Sequence, residues 1–253
     1  MRPAAIRWAI VAALLLLWEA LPRLGLVPVL FLPPLSVTLR AGFADWRIYA
    51  AALGVTLSEV AVGIVLACGG GILAGALLGG VPALRRLLLP VASSLYAVPV
   101  VILYPVLTAW FGIGSESKIA FAAVYGVFPT LLGTAAGIAT IDPNLLVTAR
   151  SMGATLPQRI TRVILPASLP TVLAALRLGG ALVIVGVVVS EMLTSTAGLG
   201  YLVTSYRTIL DSPHVFAAVL LVLLIGILFD AVLRVLERRL ARGRPADALL
   251  EPA

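Results

Sequence analysis

The chain has 253 residues, 61% of them hydrophobic and only 11% charged, with a mean hydropathy of +1.13. That balance excludes a soluble globular domain and places the chain in a membrane. A net charge of +7 would suit nucleic acid, but the basic residues do not interleave with aromatic ones on one face, so we expect no nucleic-acid partner.

Six stretches reach the roughly 20 apolar residues that a membrane-crossing helix needs: Ile6 to Leu21, Val55 to Gly80, Leu87 to Phe111, Ile119 to Ile138, Leu169 to Met192 and Val215 to Leu236. All are expected to be helical, because lipid offers no other way for such a segment to satisfy its backbone. A β-barrel is excluded, since these runs are continuous and do not alternate. The first stretch, within residues 1–30, starts basic like a signal peptide. No small-x-small cleavage site follows Trp18, Glu19 and Ala20, so it reads as an uncleaved first span.

Residues 31–54 form an outer segment too polar to cross. Its part from Leu32 to Ala50 either lies along the interface, with Trp46 and Tyr49 at headgroup depth, or forms an ordinary loop with a short helix. Residues 55–236 make up the core. There Gly63, Ala67, Gly71, Gly75 and Gly79 recur at every fourth position, the spacing that lets a second helix approach backbone to backbone, in this chain or in another copy. The members of this stripe drift by about 40° from one to the next, which suits a crossing partner over part of the length. The single cysteine, Cys68, sits inside this run and carries no disulfide framework.

The third span holds Pro90, Pro99 and Pro105, and the fourth holds Pro129, Gly133 and Gly137. Interior prolines bend helices, either around a pathway or only for packing. Two glycine-containing outer turns, Trp110 to Lys118 and Ser195 to Val203, contain no G-x-x-x-x-G-K-[ST], and Lys118 is the only lysine, so no nucleotide site is expected in this chain.

Between the fourth and fifth spans lies the polar, basic stretch 142–166, DPNLLVTARSMGATLPQRITRVILP. Asp142 is placed to cap a helix starting at Pro143, and Gly153 to end it. Thr155 with Gln158 forms a capping box for a second helix, which Pro166 is expected to close by disfavouring α geometry at Leu165. So specific a helical hairpin reads as a docking surface. With the N-terminus inside, 13 basic residues (Arg2, Arg7, Arg85, Arg86, Arg150, Arg159, Arg162, Arg177, Arg234, Arg238, Arg239, Arg242, Arg244) face the cytoplasm against 5 outside (Arg23, Arg40, Arg47, Lys118, Arg207), together the 18 of the chain. The positive-inside rule then puts both termini, the hairpin and the basic tail 237–253 in the cytoplasm.

Ionisable groups at membrane depth are the natural functional candidates. Glu19, Glu59, Glu191 and Asp230 all lie near span ends and are expected to be partly solvated. Glu191 leads them for a translocation path, because Ser190, Glu191 and Thr194 cluster with Ser195 and Thr196 where a solute would enter. His214, the sole histidine, lacks ligand-spaced neighbours, and no nucleophile-base pair is visible, so neither metal nor catalytic chemistry is expected.

The hairpin resembles the EAA signature of binding-protein-dependent ABC importer permeases: Glu-Ala-Ala, three residues, Gly, nine residues, Ile, one residue, Leu-Pro. Here Val147-Thr148-Ala149 is followed by Gly153, then Val163, Leu165 and Pro166, with spacing intact. Val147 and Thr148 replace the acidic residue and the first alanine, and Arg150 stands as a substitute polar contact. The likeness is to the nitrate, sulfonate and taurine branch. It extends through Leu32-Pro33-Pro34, Trp110-Phe111-Gly112-Ile113-Gly114 with Lys118-Ile119, Ala149-Arg150 with Gly153-Ala154, Leu165-Pro166-Ala167 with Leu169-Pro170, Glu191, and Gly198-Leu199-Gly200-Tyr201.

The resemblance implies an all-α integral membrane protein of six transmembrane helices, with a MetI-like permease fold and a cytoplasmic coupling hairpin. It implies two permease copies in a homodimer, a cytoplasmic ABC ATPase dimer that binds the ATP, and an extracytoplasmic solute-binding protein. Thr148, Ala149, Arg150, Gly153, Ala154, Val163, Leu165 and Pro166 would form the ATPase-docking surface, with Gly153 making the bend and Ala149 and Ala154 keeping the surface low. Implied solutes span sulfonates, nitrate, bicarbonate-like anions and vitamin precursors. A secondary transporter working alone on an ion gradient is the rival, and it calls for an inverted repeat and midplane carboxylates; neither is visible in the sequence.

Overall fold

The computed structural model describes residues 3–241, so the end of the basic tail, 242–253, lies outside the described residues. In chain order the helices are α1 (Pro3–Arg23), α2 (Leu35–Ala44), α3 (Trp46–Gly80), α4 (Pro82–Tyr96), α5 (Tyr104–Phe111), α6 (Ser115–Ala139), α7 (Pro143–Ser151), α8 (Leu156–Leu193), α9 (Leu199–Thr208) and α10 (Ser212–Ala241). A 3₁₀ turn, Val100–Leu103, precedes α5, and α3 and α8 each contain one π-helical turn, Val65–Gly69 and Ile160–Ile164.

Six spans were expected. Among the described residues α3, α6, α8 and α10 are long and apolar enough to cross a bilayer, and α4 with α5 makes a fifth if the bent pair is one span. Helix α1 has 21 residues but carries Arg7, Glu19 and Arg23 along them, and charge is what hydrocarbon tolerates least. Its ties to the rest include polar ones, with Ser36 N and Oγ donating to the Glu19 carboxylate and Trp18 Nε1 to Pro33 O, and an aromatic one, Trp18 against Phe216 of α10.

The second span begins nine residues earlier than its hydropathy suggests. Asp45 separates α2 from α3, and the helix that starts at Trp46 runs unbroken through the π turn to Gly80. The segment between α1 and the second span is therefore only α2 and its flanks. In the third span only Pro99 breaks the helix: it sits extended (φ −61°, ψ 103°), and α4 and the Val100–Phe111 segment meet at 83°. Pro90 stays inside α4 and Pro105 falls in the first turn of α5, where its missing N–H costs nothing.

Helix α6 is the centre of the bundle, packed between α3 and α8. The small-residue stripe of α3 meets partners in its own chain, and they change along its length as the drift requires. A Cβ on Gly63 would lie 2.9 Å from Val183 of α8, whereas one on Gly75 would lie 2.5 Å from Leu131 O and 2.7 Å from Thr134 of α6. On the other side of α6, Gly126 would meet Gly179 O of α8 at 2.7 Å. Backbone contact on two faces leaves α6 no side-chain cushion, and Phe121, Ala122, Val183 and Val187 fill the half of the core away from the hairpin with no solvent exposure.

Helix α8 differs most from expectation. Pro166 does not close the second hairpin helix. The π turn Ile160–Ile164 immediately before it moves the carbonyls that its ring would strike, so Leu156–Leu193 continues as one 38-residue helix.

Packing this close is expected to be intolerant. Gly75→Val should destabilise the purified protein by about 1–3 kcal/mol, as for core overpacking, and lower its melting temperature by several degrees. Gly69→Ala, whose Cβ meets nothing within 4 Å, should leave the melting temperature unchanged.

Candidate functional site

Two groups of residues stand out, one at each end of the bundle. The first is the hairpin. Asp142 Oδ1 accepts from Asn144 N at 2.9 Å and caps α7, which starts at Pro143. Gly153 ends the helix with φ +74°, a left-handed conformation suited to glycine, while Gly153 N donates to Arg150 O and Ala154 N to Ala149 O. The capping box then opens α8, with Thr155 N donating to Gln158 Oε1 at 2.8 Å.

The expected docking residues divide by exposure. Thr148, Arg150, Gly153 and Leu165 are exposed, Ala154, Val163 and Pro166 are half-buried, and Ala149 is buried. The small side chain of Ala149 therefore serves closure of the hairpin rather than a low outer surface. What the hairpin presents outward is larger and more apolar: Val147, Leu156 and above all Met152, 81% exposed, which the sequence pattern did not single out. Isolated large apolar groups are common on surfaces, but several on one short hairpin make a patch suited to a partner.

The second group is a buried polar network in the half of the bundle opposite the hairpin. On α3, Thr56 and Glu59 are three residues apart, share a face and are both fully buried. Glu59 Oε1 accepts from Lys118 Nζ at 3.0 Å and from Ser115 Oγ at 2.7 Å, both in the first turn of α6. Thr56 Oγ1 donates to Glu191 Oε1 at 2.7 Å and accepts from Leu199 N at 2.9 Å, while Gly200 N donates to Glu191 Oε2 at 2.7 Å. The Glu191 carboxylate, from α8, thus sits at the N-terminus of α9, where backbone N–H groups and the helix dipole favour negative charge. A Cβ on Gly198 would collide with that carboxylate, and one on Gly200 with Val188 O and the Cβ of Glu191.

Glu59 and Glu191 are therefore not partly solvated, as their positions near span ends suggested. Protein donors replace water at both oxygens of Glu191 and at Oε1 of Glu59, whose buried Oε2 meets no donor. Glu19 and Asp230 do keep partial exposure. Of the expected translocation residues, Ser190 and Glu191 are buried and Thr194 is exposed. Ser190 Oγ donates to Val187 O, and the Tyr104 hydroxyl of α5 lies 3.1 Å from both Ser190 O and Thr194 O. Thr56, Glu59, Lys118 and Tyr104 went unnoticed as a group because they come from three distant segments. The available signal was the pairing of polar residues three apart within apolar spans. Lys118, assigned to an outer turn, is instead 4% exposed inside the bundle.

His214 lies outside this network. Its Nδ1 is 2.8 Å from Asp211 Oδ2 and its Nε2 3.2 Å from Asp45 Oδ2, joining the α2–α3 corner to the start of α10.

Long apolar helices packed into one bundle, with a capped polar hairpin at one end, define an integral membrane protein of the all-α class. Residues 69–242 match the family described as "Binding-protein-dependent transport system inner membrane component". The taurine transport system permease protein TauC of Escherichia coli (strain K12) is 31% identical over 90% of this chain and 86% of its own length. The formylaminopyrimidine transport permease protein ThiX of Halalkalibacterium halodurans is 30% identical over 91% and 92%. In fold, the chain is similar to a chain of the inward-facing MetNI methionine ABC transporter, with TM-score 0.58 and 22% identity over 75% of this chain and 96% of that one. The protein belongs to the family of binding-protein-dependent transport system inner membrane components, and it is a multi-pass permease subunit of an ABC importer with a MetI-like fold.

The buried ion pair gives a direct test of the network. Glu59→Gln or Lys118→Met alone should cost about 3–5 kcal/mol, because each strands the other charge, whereas the double variant should recover most of that loss. Unfolding of the purified variants in detergent measures the coupling; a value below about 0.5 kcal/mol would show the two sites to be independent.

Proposed function

We propose that this permease carries a small polar organic solute inward, handed to it by an extracytoplasmic binding protein and driven by a cytoplasmic ABC ATPase dimer that grips the Asp142–Pro166 hairpin. The observation that carries this reading is the hairpin itself, which is rigidly capped and exposes Val147, Met152 and Leu156 away from the bundle. Thr148, Arg150, Gly153 and Ala154 surround that patch, and Val163, Leu165 and Pro166 connect it to the membrane-crossing part of α8 without a break.

Two copies of the chain form the pathway, and each copy offers one hairpin to one ATPase subunit. Both termini and the hairpin face the cytoplasm, in keeping with the arginine excess on that side. ATP is bound by the partner, as the lack of a phosphate-binding loop in this sequence suggests. For the solute, the relatives named for taurine and for formylaminopyrimidine support a small organic molecule carrying a sulfonate or an aminopyrimidine group. Thr194, exposed at the end of α8, is the residue of the Ser190, Glu191 and Thr194 set free to meet it. Ser190 and Glu191 hold the wall behind it.

In this mechanism closure of the ATPase dimer pulls the hairpins together, and the unbroken α8 transmits the displacement into the bundle. Gly153→Val forces a β-branched residue to φ +74°, where L-residues are disfavoured by about 1–2 kcal/mol. We expect solute uptake and solute-stimulated ATP hydrolysis of the assembled importer to fall by about tenfold or more, with membrane insertion of the permease unchanged. Full uptake by this variant would overturn hairpin docking.

A further inference from the structure

Helices α8 and α10 run side by side and leave a furrow of about 510 Å³ on the outside of the bundle. Its floor is made by the small residues Ala181 and Gly226, its walls by Val185, Val222 and Ile227, and a Cβ on Gly226 would meet nothing within 4 Å. One end of the furrow is charged. Arg177 of α8 lies 3.1 Å from Asp230 and 3.0 Å from Glu237, and Arg234 lies 2.6 Å from Asp230.

The charged end has a definite depth. Arg177 precedes Leu193 at the far end of α8 by 16 residues, and Asp230 follows Ser212 at the far end of α10 by 18. At 1.5 Å per residue these are about 24 and 27 Å, close to the inner edge of a hydrocarbon core of about 30 Å. Apolar furrow and guanidinium cluster thus coincide with an acyl-chain region and a headgroup region.

The cluster also has donors to spare. Arg238 lies one turn beyond Arg234 on the same face of α10 and has no carboxylate partner among the described residues, so three guanidiniums stand against two carboxylates. Arg177 Nε is buried and, although ion-paired with Asp230, completes no hydrogen bond. Each guanidinium has five N–H donors in a planar fork that suits phosphate.

We propose that this furrow is a binding site for an anionic phospholipid of the cytoplasmic leaflet, with one acyl chain along the Ala181–Gly226 floor and the phosphodiester at Arg234 and Arg238, beside Arg177. An acyl chain fills a furrow that water would not occupy at this depth, and the arginines supply the charge that selects an anionic headgroup. The assignment to the cytoplasmic leaflet rests on the orientation proposed above; the lipid chemistry does not.

The test uses the assembled importer, stripped of lipid in detergent and titrated with phosphatidylglycerol or phosphatidylcholine under native mass spectrometry. Wild type should prefer phosphatidylglycerol by about fivefold for each engaged arginine. The Arg234→Gln/Arg238→Gln double variant should lose that preference while still binding phosphatidylcholine, and Gly226→Leu, which fills the floor, should weaken both lipids. Equal affinity for the two lipids in wild type, or an unchanged preference in the double variant, would overturn the proposal. So would a disulfide between two copies through Gly226→Cys in a Cys68→Ala background, which would show that a second copy covers the furrow. Labelling of Asn144→Cys by an impermeant thiol reagent from outside intact cells would overturn the leaflet assignment and the orientation, while headgroup selectivity in the titration would still report on the site itself.

Discussion

A carboxylate taken out of water must be met by donors from the protein, and in a bundle surrounded by lipid those donors have to come from other helices. Glu59 and Glu191 impose this requirement on the whole half of the molecule away from the hairpin. Glu59 draws the first turn of α6 to α3 through Lys118 and Ser115, and Glu191 draws α9 and α3 to α8 through Gly200 and Thr56. Three helices, α6, α8 and α9, are thereby fixed against one face of α3, two residues of which, Thr56 and Glu59, contact all of them. The glycines at 198 and 200 follow from the same demand, since the α9 backbone has to reach a carboxylate that a side chain there would block.

The half nearer the hairpin is held by a different force. There α3 and α6 meet through Gly71, Gly75 and Gly79 at backbone distance, with dispersion contacts in place of hydrogen bonds. The π turn Val65–Gly69 lies where one regime gives way to the other. A polar clamp resists separation through a few directional bonds, whereas a small-residue interface resists it through many weak contacts. The two ends of α3 are thus fastened by means that respond differently to load.

Helix α8 links both ends. It begins at the hairpin, passes Pro166 with the help of a π turn, packs on α6 through Gly179, and ends just beyond Glu191. At 38 residues it is about 57 Å long, so the same element carries Leu156 of the exposed patch at one end and the buried Glu191 carboxylate near the other. The coupling proposed for the hairpin requires continuity of this kind, because a break at Pro166 would separate the hairpin from the bundle.

Composition and hydropathy alone determined the all-α membrane class, since only helices satisfy the backbone of continuous apolar runs. The hairpin was legible for an equally local reason: Asp142, Pro143, Gly153, Thr155 and Gln158 act through hydrogen bonds and dihedral preferences within a few residues of themselves. Pro166 misled because its effect depends on the turn before it, and whether that turn widens into a π turn is settled by how α8 packs. The burial of Glu59, Lys118 and Glu191 was likewise out of reach, because a residue near the end of a span can face water, headgroups or another helix, and only the approach of α6, α8 and α9 to α3 selects among them. Spacing along one chain encodes what neighbours in sequence do to each other; the solvation of a charge is decided by neighbours in space.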